Sequence, residues 1–424
     1  MHSIPTYIFY LLAFLSLYVQ VFLLVTYFER RHEIVIRKKP IKLKKYPGVT
    51  VIVPCYNEED TIAQTVHSLL QLRYPSDKLD IILIDDGSTD NTWKILQSFS
   101  HKKSIRVFHQ ENSGKHVAIN FGLDHTRTEL VGGLDSDSYV HPEALKRIVS
   151  YFEDSKTMAV CPSIIVHEPK NYLQKAQKAE YDMSVFTKKM LAFAGGIHVT
   201  PGPFSIFRKK VFDDLGPYRK AHNTEDQEIA LRMQVAGYKI EHCPDAYVYT
   251  KTPTTIPKLY RQRLRWIYGF IKNSYDYRHI WFRSRYGTVG LLTIPAGIIS
   301  LWSLVFLLSL VTINLYTFIY QHIVQYRSVG FFNFAPTVDL YYINTQASLF
   351  LLFFIYGFVF FGFLLGRKMA HGNARVRLSD IYFIIVYRLI APFWILKALW
   401  NAFRGKESSW IFERQNTTHK QQSS

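Results

Sequence analysis

The stretch Leu130-Val-Gly-Gly-Leu-Asp135-Ser-Asp137-Ser-Tyr139 runs apolar and then places two carboxylates one residue apart. Such a run predicts a buried strand that breaks at the acidic pair. Aspartate is rarely buried without a partner. Hard divalent cations such as magnesium are held through one or two carboxylates, with their other positions left to water and substrate phosphate. Asp135 and Asp137 at a strand's end meet that demand. Taken alone, such a pair more often just starts a loop and caps a helix, here from Pro142 onward.

Upstream, the β-branched run Val49-Thr-Val-Ile-Val-Pro54 predicts a second buried strand, followed by the polar loop Cys55-Tyr56-Asn57-Glu58-Glu59. Ile62, Val66, Leu69 and Leu70 then recur at helical spacing. Ile81-Ile-Leu-Ile84 repeats the pattern, ending in Asp85-Asp86-Gly87-Ser88 with a helical stretch from Trp93 to Phe99. Strand, helix, strand, helix predicts a parallel sheet with covered faces. In such sheets ligands sit outside the carboxyl ends of the strands. Pro54 to Glu58, Asp85 to Ser88 and Asp135 to Asp137 are therefore expected to converge on one crevice. Ile105 to His109 reads as a further strand, and Gly114-Lys115 opens a helix through Val117, Ile119 and Leu123. A helix start of this kind suits an anion such as diphosphate, although a Gly-Lys pair also serves as a plain turn with a surface lysine.

Downstream, Met158 to Val166 reads as a strand and Tyr172 to Phe193 as a long helix stopped by Gly195-Gly196. Thr224-Glu225-Asp226 starts the helix carrying Ile229, Leu231 and Met233, with acidic residues favourable to its dipole. A helix start can also fix a carboxylate at a site, so the two roles are compatible. Gln262-Arg263-Leu-Arg265-Trp266 opens a basic aromatic stretch to Tyr286 that predicts helix lying at a membrane surface.

The chain has 424 residues, 48% of them hydrophobic, and a formal charge of +18. Length alone suggests more than one domain. Tyr7 to Tyr27 is uncharged and long enough to cross a bilayer. It lacks the basic leader and small-residue cleavage site of a signal peptide, so it reads as a retained anchor. Further apolar stretches run from Val289 to Tyr320, from Ala347 to Leu365 and, more weakly, from Ile381 to Phe403. Residues 314 to 346 contain Asn314, His322, Arg327 and Asp339 and read as an aromatic extracytoplasmic loop. Arg30, Arg31, Arg37 and the lysines up to Lys45 put the middle of the chain in the cytoplasm by the positive-inside rule. The basic excess is thus topology, and no nucleic-acid motif accompanies it. Cys55, Cys161 and Cys243 have no metal-ligand spacing and read as reduced thiols.

The ordered set Pro54-x-Tyr56-Asn57-Glu58, Asp85-Asp86-Gly87-Ser88, Gly114-Lys115, Asp135-x-Asp137, Thr224-Glu225-Asp226 and Gln262-Arg263-x-Arg265-Trp266 resembles the membrane-embedded family 2 glycosyltransferases. That group holds cellulose, chitin, hyaluronan and poly-N-acetylglucosamine synthases. The resemblance covers residues 49 to 286, and its last two motifs are the specific ones. It implies an α/β GT-A fold, a Rossmann-like mixed sheet in a cytoplasmic catalytic domain between N- and C-terminal transmembrane helices. The expected division is an anchor (1–28), a basic linker (29–48), the GT-A domain (49–257), interfacial helices (258–287), a membrane region (288–403) and a polar tail (404–424).

The resemblance further implies a nucleotide-sugar donor, UDP-linked, bound by Pro54, Tyr56, Glu58, Asp86, Lys115 and Asp135. Asp135 and Asp137 approach Mg2+ or Mn2+, with Asp137 the direct ligand. Asp226, supported by Glu225, is the general base for an acceptor hydroxyl that attacks with inversion. Gln262, Arg263 and Arg265 face the diphosphate, and Arg265 stabilises its departing charge. Trp266 stacks on the acceptor, and Phe204 or Ser205 in the loop Pro201-Gly-Pro-Phe-Ser205 also meets it. The expected activity is processive synthesis of a β-linked polymer, from UDP-N-acetylhexosamine, coupled to translocation across the plasma membrane by a multi-pass protein. Transfer of one sugar to a lipid-linked or other membrane acceptor is the alternative, since there are few spans for a pore. A scaffold that kept the fold and lost the reaction is a distant third, because every required carboxylate is present. Partners are thus the donor, a glycan or lipid-linked acceptor and the bilayer. No cyclic-dinucleotide domain is expected in the short tail. Arg388, Pro392 and Lys397 are costly in lipid, so residues 381 to 403 are either a span or a re-entrant or interfacial helix.

Overall fold

The computed structural model describes residues 4–37, 39–329 and 347–405. After α1 (Ile4–Arg30), strands and helices alternate: β1 (Val49–Cys55), α2 (Ile62–Leu70), β2 (Leu79–Asp86), α3 (Thr92–Gln97), β3 (Ile105–Gln110), α4 (Lys115–Asp124) and β4 (Leu130–Gly133). Then come β5 (Ser138–Val140), α5 (Ala144–Val149), β6 (Thr157–Val166), α6 (Tyr172–Phe193), β7 (Ile206–Arg208), α7 (Lys210–Leu215), α8 (Glu225–Val235) and β8 (Lys239–Thr250). The chain continues in α9 (Ile256–Asp276), α10 (Ile294–Val329), α11 (Ala347–His371) and α12 (Leu378–Arg404).

The strands form one eight-stranded sheet in the order β3-β2-β1-β4-β7-β6-β8-β5. β3, β2, β1 and β4 are parallel, as the strand-helix alternation predicts. β7 runs antiparallel between β4 and β6, which makes the sheet mixed. Every residue of β1 is buried, because helices cover both faces. Ile52, Ile82 and Val131 pack on one face and Val51, Val53, Ile81 and Leu83 on the other. The alternation follows from the two-residue period of a strand.

Among the described residues, three helical segments are long and apolar enough to cross a membrane, Ile4–Glu33, Val289–Ser328 and Leu349–His371. The loop expected over residues 314 to 346 is corrected in its first half, since α10 stays helical to Val329. Residues 314–329 hold no glycine or proline, and scattered polar side chains do not interrupt a helix. Residues 330–346 and the tail beyond 405 lie outside the described residues. The fourth apolar stretch is α12, which packs against α6 and α9 and is not among the three. At its start, Asp380 accepts both arms of the buried Arg367 guanidinium at 2.6 and 2.7 Å.

α6 is the hub of this part of the molecule. Gly362 and Gly366 bring α11 against it: a Cβ on Gly362 would lie 3.2 Å from Phe186, and one on Gly366 would meet the Asp182 carbonyl. The buried Asp182 carboxylate accepts from Arg367 at 3.4 Å and pairs with His371 at 2.8 Å. Two residues earlier in the same helix, Glu180 pairs with Arg263 of α9 at 2.7 Å.

Candidate active site

Pro54 and Asp135, from two of the strand ends, line one crevice, and residues 85–88 lie outside its lining. β1 and β2 are in register with Cys55 beside Asp85, so the loops after them leave the sheet together. They are laced to each other: the Asn57 amide donates to Ser88 Oγ (3.0 Å), the Thr89 amide to Asn57 Oδ1 (2.8 Å) and the Glu58 amide to Thr92 Oγ1 (2.8 Å). Gly87 has φ of +72°, and a Cβ there would sit 2.7 Å from the Asn112 nitrogen. Only glycine fits that approach without strain. Asp86 is buried and its oxygens accept from Gln110 Nε2 (2.7 Å) and the amides of Ser113 (3.0 Å) and Gly114 (2.9 Å). Asp86 thereby holds the turn that presents Lys115.

Lys115 joins the two halves of the site. Its Nζ donates to Asp135 Oδ1 at 2.8 Å and lies 3.3 Å from Glu225 Oε1. Desolvation works against this ammonium, but Asp135 and Glu225 outweigh it and hold its pKa above the usual range. The converse effect appears on Glu225, where burial is outweighed chiefly by Lys115 and the carboxyl is held below its ordinary value.

Asp226 lies in the first turn of α8, its Oδ1 accepting from the Gln227 amide at 2.9 Å. Burial and then the neighbouring Glu225 push its pKa up to about 6, against the pull of Lys115 and Arg265. Asp137 is pushed up to about 7 by burial and by the charges of Asp135 and Glu58. Carboxylates crowded in this way fit a hard cation that relieves their repulsion. Among the described residues no set of three or more His, Cys, Asp or Glu side chains is placed to hold a metal ion by itself. A cation here would rest on Asp135 and Asp137, with phosphate and water completing its shell.

A crevice of about 350 Å³, open to solvent, is lined by Pro54, Lys115, Asp135, Ser205, Glu225 and Asp226 among others. Its wall is the loop before β7. Thr200 donates through its amide (3.2 Å) and hydroxyl (2.9 Å) to the Asp226 carbonyl, and the Phe204 amide donates to the Gly133 carbonyl at 2.7 Å. Phe204 itself corrects the sequence reading. With φ of +64° its ring turns into the apolar core and is wholly buried, so it offers no side-chain surface to an acceptor. Ser205 lines the crevice, but its hydroxyl is spent on the Pro201 carbonyl at 2.6 Å.

Gly202 of this loop lies against the ion pair: a Cβ there would sit 3.2 Å from both Asp135 Oδ1 and Lys115 Nζ. Tyr218 is a second lining residue that sequence reasoning missed. It is fixed by a reciprocal pair of bonds between its backbone and the Asn120 amide group, at 2.8 and 2.9 Å. The Leu215-Gly-Pro-Tyr218 turn signal marks the loop but carries no hint of that destination.

Tyr56, Glu58, Asp86, Asp137, Gln262, Arg263, Arg265 and Trp266 lie outside that lining. Glu58 faces Asp137 electrostatically and accepts from Thr61 Oγ1 at 2.8 Å. On α9, Arg263 is buried, paired with Glu180, and stacks 4.2 Å from the Trp266 ring centroid. Gln262 Oε1 is buried with no hydrogen-bond partner among the described residues. Arg265 donates from Nη1 to the Asn223 carbonyl at 3.0 Å.

A mixed sheet whose parallel strand ends carry an Asp-x-Asp pair facing a helix-borne carboxylate defines the GT-A class of fold. Residues 50–216 match the family Glycosyl transferase family 2, and the chain carries a domain of that family. It is similar to the poly-beta-1,6-N-acetyl-D-glucosamine synthase of Staphylococcus aureus strain MSSA476, at 33% identity over 261 residues, 61% of this chain and 63% of the relative. The synthase of the same description from Staphylococcus epidermidis is 32% identical over 52% of this chain and 54% of the relative. The chain thus spans less than two thirds of the length of these curated relatives. In three dimensions it is similar to a mannosyltransferase from Pyrobaculum calidifontis solved in complex with GDP-Man and Mn2+, with a TM-score of 0.56, 17% identity, and coverage of 93% of this chain and 100% of that one.

Proposed function

We propose that the chain is an inverting, metal-dependent glycosyltransferase that moves a sugar from UDP-N-acetylhexosamine to a growing β-linked polysaccharide at the plasma membrane. The observation that carries this reading is Lys115 reaching Asp135 on one side and Glu225, beside Asp226, on the other. One crevice then holds a cation-binding strand end and a poised carboxylate. The similarity to the staphylococcal synthases supports the sugar and the polymer. Residues 49–257 form the catalytic unit, cytoplasmic, and the apolar helices make the protein multi-pass.

Asp226 takes the proton from the acceptor hydroxyl. The hydroxyl oxygen forms its bond to the anomeric carbon as the bond from that carbon to the diphosphate breaks, and the electron pair leaves with the diphosphate. Attack from the face opposite the leaving group inverts the centre. A carboxylate with a pKa near 6 is ionised at neutral pH yet basic enough for this step. Asp135 and Asp137 hold Mg2+ or Mn2+, which when bound supplies charge neutralisation at the diphosphate. Lys115 exchanges its carboxylate partners for the diphosphate, and Arg265 adds positive charge beside the departing group. Tyr56, Glu58 and Asp86 border the base and ribose, and Trp266 stacks on the acceptor sugar.

The test is turnover by the purified protein, in detergent or nanodiscs with Mg2+ or Mn2+, on a panel of radiolabelled UDP-sugars with products resolved by size. Long chains from one donor support the reading. A single short product that needs an added lipid acceptor moves the protein to single-sugar transfer, and no turnover on any donor overturns both.

A further inference from the structure

The approach to Asp226 is strained. Ala221, His222 and Asn223 are three consecutive non-glycine residues with φ of +42°, +55° and +62°. L-residues visit this region singly and at a cost, and such segments persist only where their surroundings hold them.

All the holders named here come from α9. Arg265 Nη1 donates to the Asn223 carbonyl at 3.0 Å. Asn273, 1% exposed, donates from Nδ2 to Thr224 Oγ1 at 2.8 Å and, more weakly, to the Thr224 and Ala221 carbonyls at 3.4 and 3.5 Å. His222 Nε2 meets Asp276 Oδ2 at 2.9 Å. At Gly269 a Cβ would collide with the Thr224 side chain, so the helix and the turn are in direct contact there. Residues 265, 269, 273 and 276 recur at four, four and three, which is one face of a helix.

We propose that this face of α9 is a clamp that sets the position of the general base, with Asn273 its central positioning residue. Thr224 immediately precedes Glu225 and Asp226, so a relaxed turn withdraws the carboxylate from the acceptor while the loops after β1 and β2 keep their own bonds. The inference rests on Asp226 being the base, as above. A misplacement of about 1 Å far from the chemistry can cost about 10²-fold in rate.

The experiment measures kcat, donor KM and equilibrium binding with UDP-N-acetylglucosamine and Mg2+ for Asn273→Asp, which keeps the shape and loses the donors. The expected result is a fall in kcat of about 10²-fold with KM and binding within about threefold. Adding Ala221→Gly, which takes the left-handed conformation freely, should recover a substantial part of kcat. Asp276→Asn, at a half-exposed position that tolerates change, should give a smaller fall of the same kind. It asks the same question if Asn273→Asp fails to fold. Wild-type kcat in these variants, or a loss of binding in step with kcat, overturns the clamp. Asp226→Asn is the control: if it turns over at the wild-type rate, the assignment of the base is what fails.

Discussion

The two sides of the crevice are built by different means. On the proposed donor side the groups hang from strand ends whose residues are buried and paired in register, and main-chain amides fix the loops. On the proposed acceptor side Asp226 stands on a helix start reached through a strained turn and held by side chains of another helix. The first arrangement is rigid by topology. The second is only as rigid as the contact between α8 and α9. Lesions on the donor side should therefore appear in donor and cation binding, and lesions on the acceptor side in kcat.

The largest expected effect is on the cation. Chelation by EDTA should abolish turnover, with Mg2+ or Mn2+ restoring the wild type and failing to restore Asp137→Asn; activity that survives chelation would sink the metal assignment. Next, Asp226→Asn should lower kcat by about 10² to 10⁴ while calorimetric binding of UDP persists. If binding is lost as well, the two sides are not separable. Lys115→Gln should weaken donor binding by about tenfold or more, as loss of hydrogen bonds to a charged group worth about 1.5–3 kcal/mol implies.

The pH profile sharpens the comparison. A base must be deprotonated, so kcat/KM should fall about tenfold per unit below pH about 6, the value set on Asp226 by burial and Glu225 against Lys115 and Arg265. Removing the Lys115 charge should move that limb to higher pH, and a limb that stays fixed would uncouple the two sides. The smallest effect belongs to Gly87→Ala. Strain at its positive φ and the contact with Asn112 should lower stability by about 1–3 kcal/mol, read from thermal unfolding in detergent, with kcat little changed in the folded fraction.

The strands β1, β2 and β4 were legible in the sequence because their signals are local. An apolar run ending in Asp135-x-Asp137 or in Asp85-Asp86-Gly87 states both the strand and the place where it stops. Phe204 was misread because a left-handed backbone reverses the direction that an aromatic residue in a polar loop suggests. Gly202 and Tyr218 were missed because their places depend on contacts with Lys115, Asp135 and Asn120, far away in the chain. Residues 314 to 329 were taken for a loop on polarity, whereas helix continues wherever nothing breaks it. The holding face of α9 leaves no local mark, since Gly269 and Asn273 gain meaning only from what lies opposite.

The hub helix α6 has a mechanical consequence. Glu180 ties it to the helix that bears Trp266, and Asp182, two residues on, ties it to the apolar helix α11. The two fastenings sit on one stiff rod with no flexible joint between them. Were α11 to span a bilayer as proposed, a change in lipid thickness that tilts it would apply a torque to that rod and shift Arg263, with the indole stacked on it.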